Sequence, residues 1–369
     1  MYRQEEVSMK IISRVACALI LAAGASASAQ PLADGMINDS VKLPGVGFLN
    51  ERAQSLLPSA RTETGKAFLE AVEHLPNRLR RYMWVDRQFT VAYTEASYAE
   101  LDDKAKKILN FRPVTELSYY IGLNDRPLLD VLPLDLVTVG TEFAEPGNLA
   151  NAKILLYNPR VITQGWLLAS LGADVTIVHS QTRMRELYSQ TKDTGAVEGV
   201  NGFAGGSVEI IYAEWPSEEA EGLGDDFDLV IVSDWLSRGL SQRAEMPPRW
   251  ISAGKPMRLT ESTPDEILAG FAEVLAPDGR LILYAYGPMQ PRRAGLLQPY
   301  SDVRVPFSEQ AIANSGLTTI ARDMDDSKTM LGASIATGYT EPELNSEGVP
   351  TMTTAYTIMV KPQAETKSD

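Results

Sequence analysis

From Lys153 onward the hydrophobic residues gather into short continuous runs, separated by stretches with helical spacing. The runs are Ile154–Tyr157, Val175–Val178, Val208–Tyr212, Leu229–Val232, Arg280–Tyr286, Leu317–Ile320 and Tyr356–Val360. Between them, Gln164–Leu171, Thr182–Gln190 and Pro264–Leu275 repeat apolar side chains at helical intervals. Ala276-Pro277-Asp278-Gly279 is a turn signal ahead of the fifth run. A strand that is apolar at nearly every position is buried on both faces, and strands that alternate with helices join in parallel. The pattern predicts a doubly wound α/β sheet. Ligands of such sheets bind outside the carboxyl ends of the strands, where strand order reverses.

Residues 30–150 lack that alternation. Helical patches at Glu63–Leu75 and Tyr98–Leu109 flank a β-like run, Gln88–Thr94. Arg126–Val139 is apolar but interrupted by Pro127 and Pro133, which predicts a kinked packing arm. No Gly/Ser-rich linker follows, and Leu128–Val139 is too apolar to stay solvated, so residues 40–150 are expected to pack on the α/β part. Trp84, Tyr119 and Tyr120 have the burial preference of core aromatic residues. The organisation predicted is a mainly helical N-terminal extension over 30–150, an α/β domain over 151–361 and a polar tail over 362–369.

The first 29 residues read differently. Lys10 and Arg14 form a basic start, Val15–Ala23 an apolar stretch, and Ala27-Ser28-Ala29 a small-residue cleavage site before Gln30. That is a secretory signal peptide over 1–29, too short and wrongly flanked for a spanning helix. The protein is expected to be exported, and periplasmic or secreted if bacterial. No later apolar run is long enough to cross a bilayer, so no membrane span is expected after cleavage. Cleavage also removes Cys17, the one cysteine.

Composition then narrows the chemistry. Lys and Arg number 34 against 48 Asp and Glu, a formal net charge of -14. A surface of that sign repels phosphate backbones, which disfavours nucleic acids and anionic membranes as partners and leaves an unidentified small molecule or protein. One cysteine and two histidines cannot build a zinc ribbon, a disulfide scaffold or a multi-histidine site, so no metal is expected. No Gly-x-Ser-x-Gly elbow accompanies His74 or His179, which argues against a Ser–His–Asp hydrolase.

Several stretches carry a resemblance. Leu168-Ala-Ser-Leu-Gly-Ala-Asp-Val-Thr-Ile-Val178, Phe227-Asp-Leu-Val-Ile-Val-Ser-Asp234, Leu275-Ala-Pro-Asp-Gly-Arg-Leu-Ile-Leu283 and Ala313-Asn-Ser-Gly-Leu317 resemble, in order and spacing, the class I S-adenosylmethionine-dependent methyltransferases. The resemblance covers about 210 residues. It implies a doubly wound, seven-stranded, methyltransferase-like (Rossmann-like) sheet whose last strand is antiparallel, preceded here by the helical extension. It also implies S-adenosylmethionine as cofactor and methyl transfer to an unidentified acceptor.

The departures from the family pattern concern the cofactor. Counting back from Gly172-Ala173, the acid that ends the family's first strand is replaced by Leu156, and the three glycines of the following turn by Asn158, Arg160 and Ile162. Side chains there project into the volume the cofactor needs, and any position requiring positive φ is expected to be strained. The ribose-binding acid at the second strand's end is replaced by His179, whose neutral imidazole offers one acceptor where a carboxylate offers more. Glu214 and Asp234 keep acidic positions after the third and fourth strands. A guanidinium at the strand edge is costly to desolvate alone, so Arg160 is expected to pair with Glu214 or Asp234, or to bind a ligand anion. Two readings follow: an exported methyltransferase, or a non-catalytic methyltransferase-like binding or scaffold module that no longer binds S-adenosylmethionine.

Overall fold

The computed structural model describes residues 46–76, 81–87, 91–114, 149–159, 161–179, 182–213, 215, 222–233, 263–288, 303–336 and 352–363. They fall into two compact units: Tyr82–Pro113, and Leu43–Arg81 together with Val114–Asp369.

In chain order, α1 (Val46–Leu56) and α2 (Glu63–Glu70) open the larger unit, each followed by a 3-10 turn. The small unit follows as β1 (Arg81–Val85), β2 (Ala92–Tyr93), α3 (Glu95–Ala99), α4 (Asp103–Lys106) and β3 (Asn110–Val114). The rest is β4 (Lys153–Tyr157), α5 (Thr163–Ser170), β5 (Asp174–Val178), α6 (Thr182–Leu187), β6 (Gly195–Ala196), β7 (Ser207–Ile211) and β8 (Phe227–Ser233). The chain continues with α7 (Pro264–Val274), β9 (Leu275–Pro288), α8 (Glu309–Asn314), β10 (Thr318–Asp325), α9 (Ser327–Ala336) and β11 (Met352–Val360).

The main sheet has the order β10-β11-β9-β8-β4-β5-β7-β6. Neighbouring strands from β9 through β8, β4 and β5 to β7 are parallel, whereas β11 runs antiparallel to both β9 and β10. The seven apolar runs are therefore seven strands, and the last is antiparallel. This is a doubly wound, Rossmann-like α/β sheet of the class I methyltransferase type. An eighth strand, β6, adds two residues antiparallel to β7; Gly195-Ala196 gives no apolar signal from which to expect it. Ile154, Leu155, Leu156 and Tyr157 are at most 3% exposed, as a central strand covered on both faces requires. The predicted turn at Ala276–Gly279 is a bulge: Phe227 pairs with Leu275 but Leu229 already pairs with Arg280, and Asp278 takes φ 63.

Helix starts are set by local side chains. Thr263 and Glu266 form a capping box ahead of α7, with Pro264 in the first turn where its missing N–H costs nothing. Thr62 and Ser308 cap α2 and α8. After α5 the chain turns at Gly172, φ 105, where an added Cβ would lie 2.9 Å from the Ala150 backbone.

The helical segment before Arg81 belongs to the sheet's unit. Leu49, Leu56, Phe68, Leu69 and Val72 are buried, and α1 packs against α9. Arg61 donates both guanidinium ends to the buried Asp326 carboxylate at 3.2 and 3.3 Å, and the Tyr284 hydroxyl donates to the same group at 3.3 Å. In the small unit, the predicted helix Tyr98–Leu109 is divided into α3 and α4 around Asp102, whose carboxylate caps α4. Its strands order β2-β1-β3. Residues 115–148, which include the proposed packing arm, Tyr119 and Tyr120, lie outside the described residues, as do the leader and most of the polar tail.

Candidate functional site

After β4 the chain goes outward to β5 and β7, then returns to place β8 on the other side of β4. Strand order reverses between β4 and β8, so the ligand crevice of this sheet lies beyond their carboxyl ends.

Asn158 is the first residue past β4. It adopts φ 51, and its N–H donates to the Val178 carbonyl at 2.8 Å, extending the β4–β5 pairing. The left-handed backbone expected of the first glycine position is therefore present, but strain is small because asparagine adopts that region more readily than other non-glycine residues. What changes is the side chain, which is 7% exposed. Pro159 and Val161 are also buried.

Ile162 precedes α5 and is 2% exposed. Its carbonyl accepts from the Trp166 N–H at 3.1 Å, and its own N–H donates to the Tyr188 hydroxyl at 3.3 Å in a buried bond. A backbone donor at the start of α5 is thus held by this chain's own tyrosine. Leu156, at the acidic position of the family, is 2% exposed within β4. His179 follows β5, is 2% exposed, and donates its backbone N–H to the Ile211 carbonyl at 2.9 Å. Asn158, Ile162 and His179 are all buried in the strand-to-helix connections of the β4–β5 side. Arg160, Glu214 and Asp234 lie outside the described residues, and with them the expected pairing of Arg160.

S-adenosylmethionine needs an open backbone turn and acidic partners at these positions. The described residues present buried side chains, an aliphatic residue for one acid and a buried imidazole for another. They do not fit the cofactor in the family's manner.

Two residues at this edge escaped the reading of the sequence. Tyr188 lies 26 positions from the Ile162 N–H that it holds, and no local pattern announces such a bond. Ser233 ends β8 at the switch point, and its buried Oγ has no hydrogen-bond partner among the described residues. Trp215 belongs to the core: it is 3% exposed and stacks on Phe271 at 5.4 Å. Among the described residues no group of His, Cys, Asp or Glu is placed to hold a metal ion.

A separate groove of about 490 Å³ runs along β7, lined by Tyr188, Thr194, Gly195, Ser207, Glu209 and Tyr212. Burial, reinforced by the Asp193 carboxylate, pushes the Tyr212 hydroxyl up to about 12. That hydroxyl donates to the Met184 carbonyl at 3.2 Å.

No family model and no curated protein matches this chain. Solved structures similar to it include magnesium protoporphyrin IX methyltransferase from Synechocystis PCC 6803 with bound S-adenosylhomocysteine, at 15% identity and TM-score 0.35 over 65% of this chain and 85% of that one. The N-methyltransferase NodS from Bradyrhizobium japonicum WM9 is similar at 13% identity and TM-score 0.34, over 65% of this chain and 100% of that one. The YcgJ protein from Bacillus subtilis is similar at 15% identity and TM-score 0.34, over 63% of this chain and 99% of that one. The class of the fold rests on the sheet's own strand order and directions.

Proposed function

We propose that this protein is an exported, methyltransferase-like binding module that has lost the ordinary S-adenosylmethionine site and performs no methyl transfer. One observation carries the reading: Asn158, Ile162 and His179, at three of the cofactor positions, are buried side chains, with the Ile162 N–H already held by Tyr188. Restoring the usual site requires unpacking several buried groups together, and a fold keeps no function once its site is gone. Export agrees with this, since the cofactor is made in the cytosol. Calorimetric titration of the folded protein with S-adenosylmethionine and S-adenosylhomocysteine tests it. No heat of binding is expected, and micromolar affinity for either overturns the reading.

A second reading, methyl transfer to an unidentified acceptor, is favoured by Ser233. A buried hydroxyl at the switch point with no partner among the described residues is the kind of group a bound ligand satisfies. The same titration separates the two, because transfer requires the cofactor to bind. Export is checked by the intact mass of protein from the exported fraction. A chain starting at Gln30 is expected, and a retained Cys17 rejects the proposed cleavage.

A further inference from the structure

Side chains alternate sharply across the small sheet. Met83, Val85, Ala92 and Val114 are at most 1% exposed on one face. On the other, Tyr82 and Phe111 are 42% and 51% exposed; outside the sheet, in the turn between α4 and β3, Ile108 is 67% exposed. Tyr82 stacks on Phe111 at 5.0 Å, Phe111 meets Trp84 at 4.7 Å, and Trp84 stacks on Tyr98 at 4.4 Å. Rings that stack on one another across a sheet use up their faces in mutual contact, so the row forms a ridge and offers no open platform for a flat ligand.

The charges around the ridge differ from those of the whole chain. Tyr82–Pro113 holds Arg87, Lys104, Lys106, Lys107 and Arg112 against Asp86, Glu95, Glu100, Asp102 and Asp103, so it is neutral in a chain of net charge -14. Along α4 the charges are sorted by sign. Asp102 and Asp103 stand at the start of α4, where the Asp102 carboxylate accepts from the Ala105 N–H at 2.7 Å. Lys104, Lys106 and Lys107 stand toward its end, beside Ile108. Lys106 lies 5.5 Å from the Tyr98 ring centroid, while Lys104 and Lys107 are exposed and make no ion pair among the described residues. By contrast, the exposed Met324 of β10 is flanked by Asp323 and Asp325.

We propose that this apolar ridge, with the half-exposed Phe111 in it and the exposed Ile108, Lys104 and Lys107 on the segment that leads into its strand, seats the protein on an anionic lipid surface. Aliphatic and aromatic tips enter the headgroup boundary, tyrosine and tryptophan suit that depth, and the flanking ammonium groups meet lipid phosphates. The net negative charge that disfavours such a partner acts across the whole molecule. At physiological ionic strength charges beyond about 8 Å are largely screened, so the contact is set by this neutral unit and its exposed lysines rather than by the net charge of the chain. The protein lies on the surface; no helix among the described residues is long and apolar enough to span it.

Co-sedimentation of the full chain with vesicles tests this, using phosphatidylcholine alone and phosphatidylcholine mixed with phosphatidylglycerol. Binding is expected to the mixed vesicles and to weaken with salt. Joint replacement Ile108→Ser and Phe111→Ser is expected to lower binding about tenfold, and Lys104→Gln with Lys107→Gln to abolish the preference for phosphatidylglycerol. No binding by the unaltered chain overturns the proposal. So does undiminished binding by the Ile108/Phe111 variant, since the apolar stretch near the N-terminus would then be responsible. Velocity sedimentation without vesicles supplies the remaining arm: a wild-type dimer made monomeric by the same two changes assigns the ridge to a second copy and rejects the lipid surface.

Discussion

Two aromatic clusters of this protein use similar residues for opposite ends. In the larger unit, Tyr157, Trp215 and Phe271 meet at 5.3 to 5.9 Å and none is more than 3% exposed. In the small unit, Tyr82, Phe111, Trp84 and Tyr98 meet at 4.4 to 5.0 Å, yet two of them are about half open to solvent. Ring contact is closer in the open cluster than in the buried one, so a short contact distance does not mark a core. The difference lies in what stands over the rings. The first cluster sits within a core that includes Leu155, Val230, Ile267 and Leu281. The second has Lys106 over Tyr98 at its margin, and Tyr82 and Phe111 stay 42% and 51% exposed.

The largest expected consequence is in the buried cluster. Phe271→Ala should cost about 3–5 kcal/mol, through lost transfer energy and a cavity against Trp215, read as a shift of the denaturant midpoint. Equal costs for Phe271→Ala and Phe111→Ala would erase the distinction between the clusters. Next comes a polar contact of the same unit. Asp326→Ala removes the acceptor of both Arg61 and Tyr284 and should cost about 2–3 kcal/mol, reduced from the fully buried case because Arg61 is partly exposed. A loss below about 0.5 kcal/mol would mark the pair as a surface bridge.

Gly270→Ala tests packing from the other side. An added Cβ would lie 2.8 Å from Trp215 Nε1, so overpacking should cost about 1–3 kcal/mol; a neutral result in thermal unfolding would mean that Trp215 has room to move. Tyr212 is intermediate between the clusters. Its folded pKa is raised to about 12 from an ordinary value of about 10, so its stabilising effect is intact below pH 10 and is lost as pH rises through 12. Tyr212→Phe should lose about 1 kcal/mol near neutrality with the bond to Met184. It should also flatten the decline of stability between about pH 10 and 12, and an unchanged decline excludes Tyr212 as its source. The smallest effect is at the open cluster, where Phe111→Ala should shift stability by less than about 1 kcal/mol in the same unfolding measurement.

The central strands of the sheet were legible because burial on both faces forces nearly continuous apolar runs, as in β4 and β8. The N-terminal part was less so. Arg81–Val85 gave no strand signal, since Tyr82 and Trp84 are as apolar as Met83 and Val85, and the period of two is hidden when both faces carry hydrophobic residues. The separation of α3 from α4 likewise depends on one carboxylate, Asp102, preferring a cap to a helix interior.

At the crevice, residue identity gave the replacement of glycines and acids by Asn158, Arg160, Ile162 and His179. Packing supplied what those replacements do. Asn158 accepts the left-handed turn, Ile162 and His179 go inward, and Tyr188 closes on a backbone donor from 26 residues away. Sequence alone therefore specified the fold class, because the pattern of burial is written along the chain at periods of two and 3.6. Whether an aromatic row is core or surface, and which polar groups meet, depended on elements distant in sequence. Such contacts are set by three-dimensional packing and leave no periodic trace in the residues that make them.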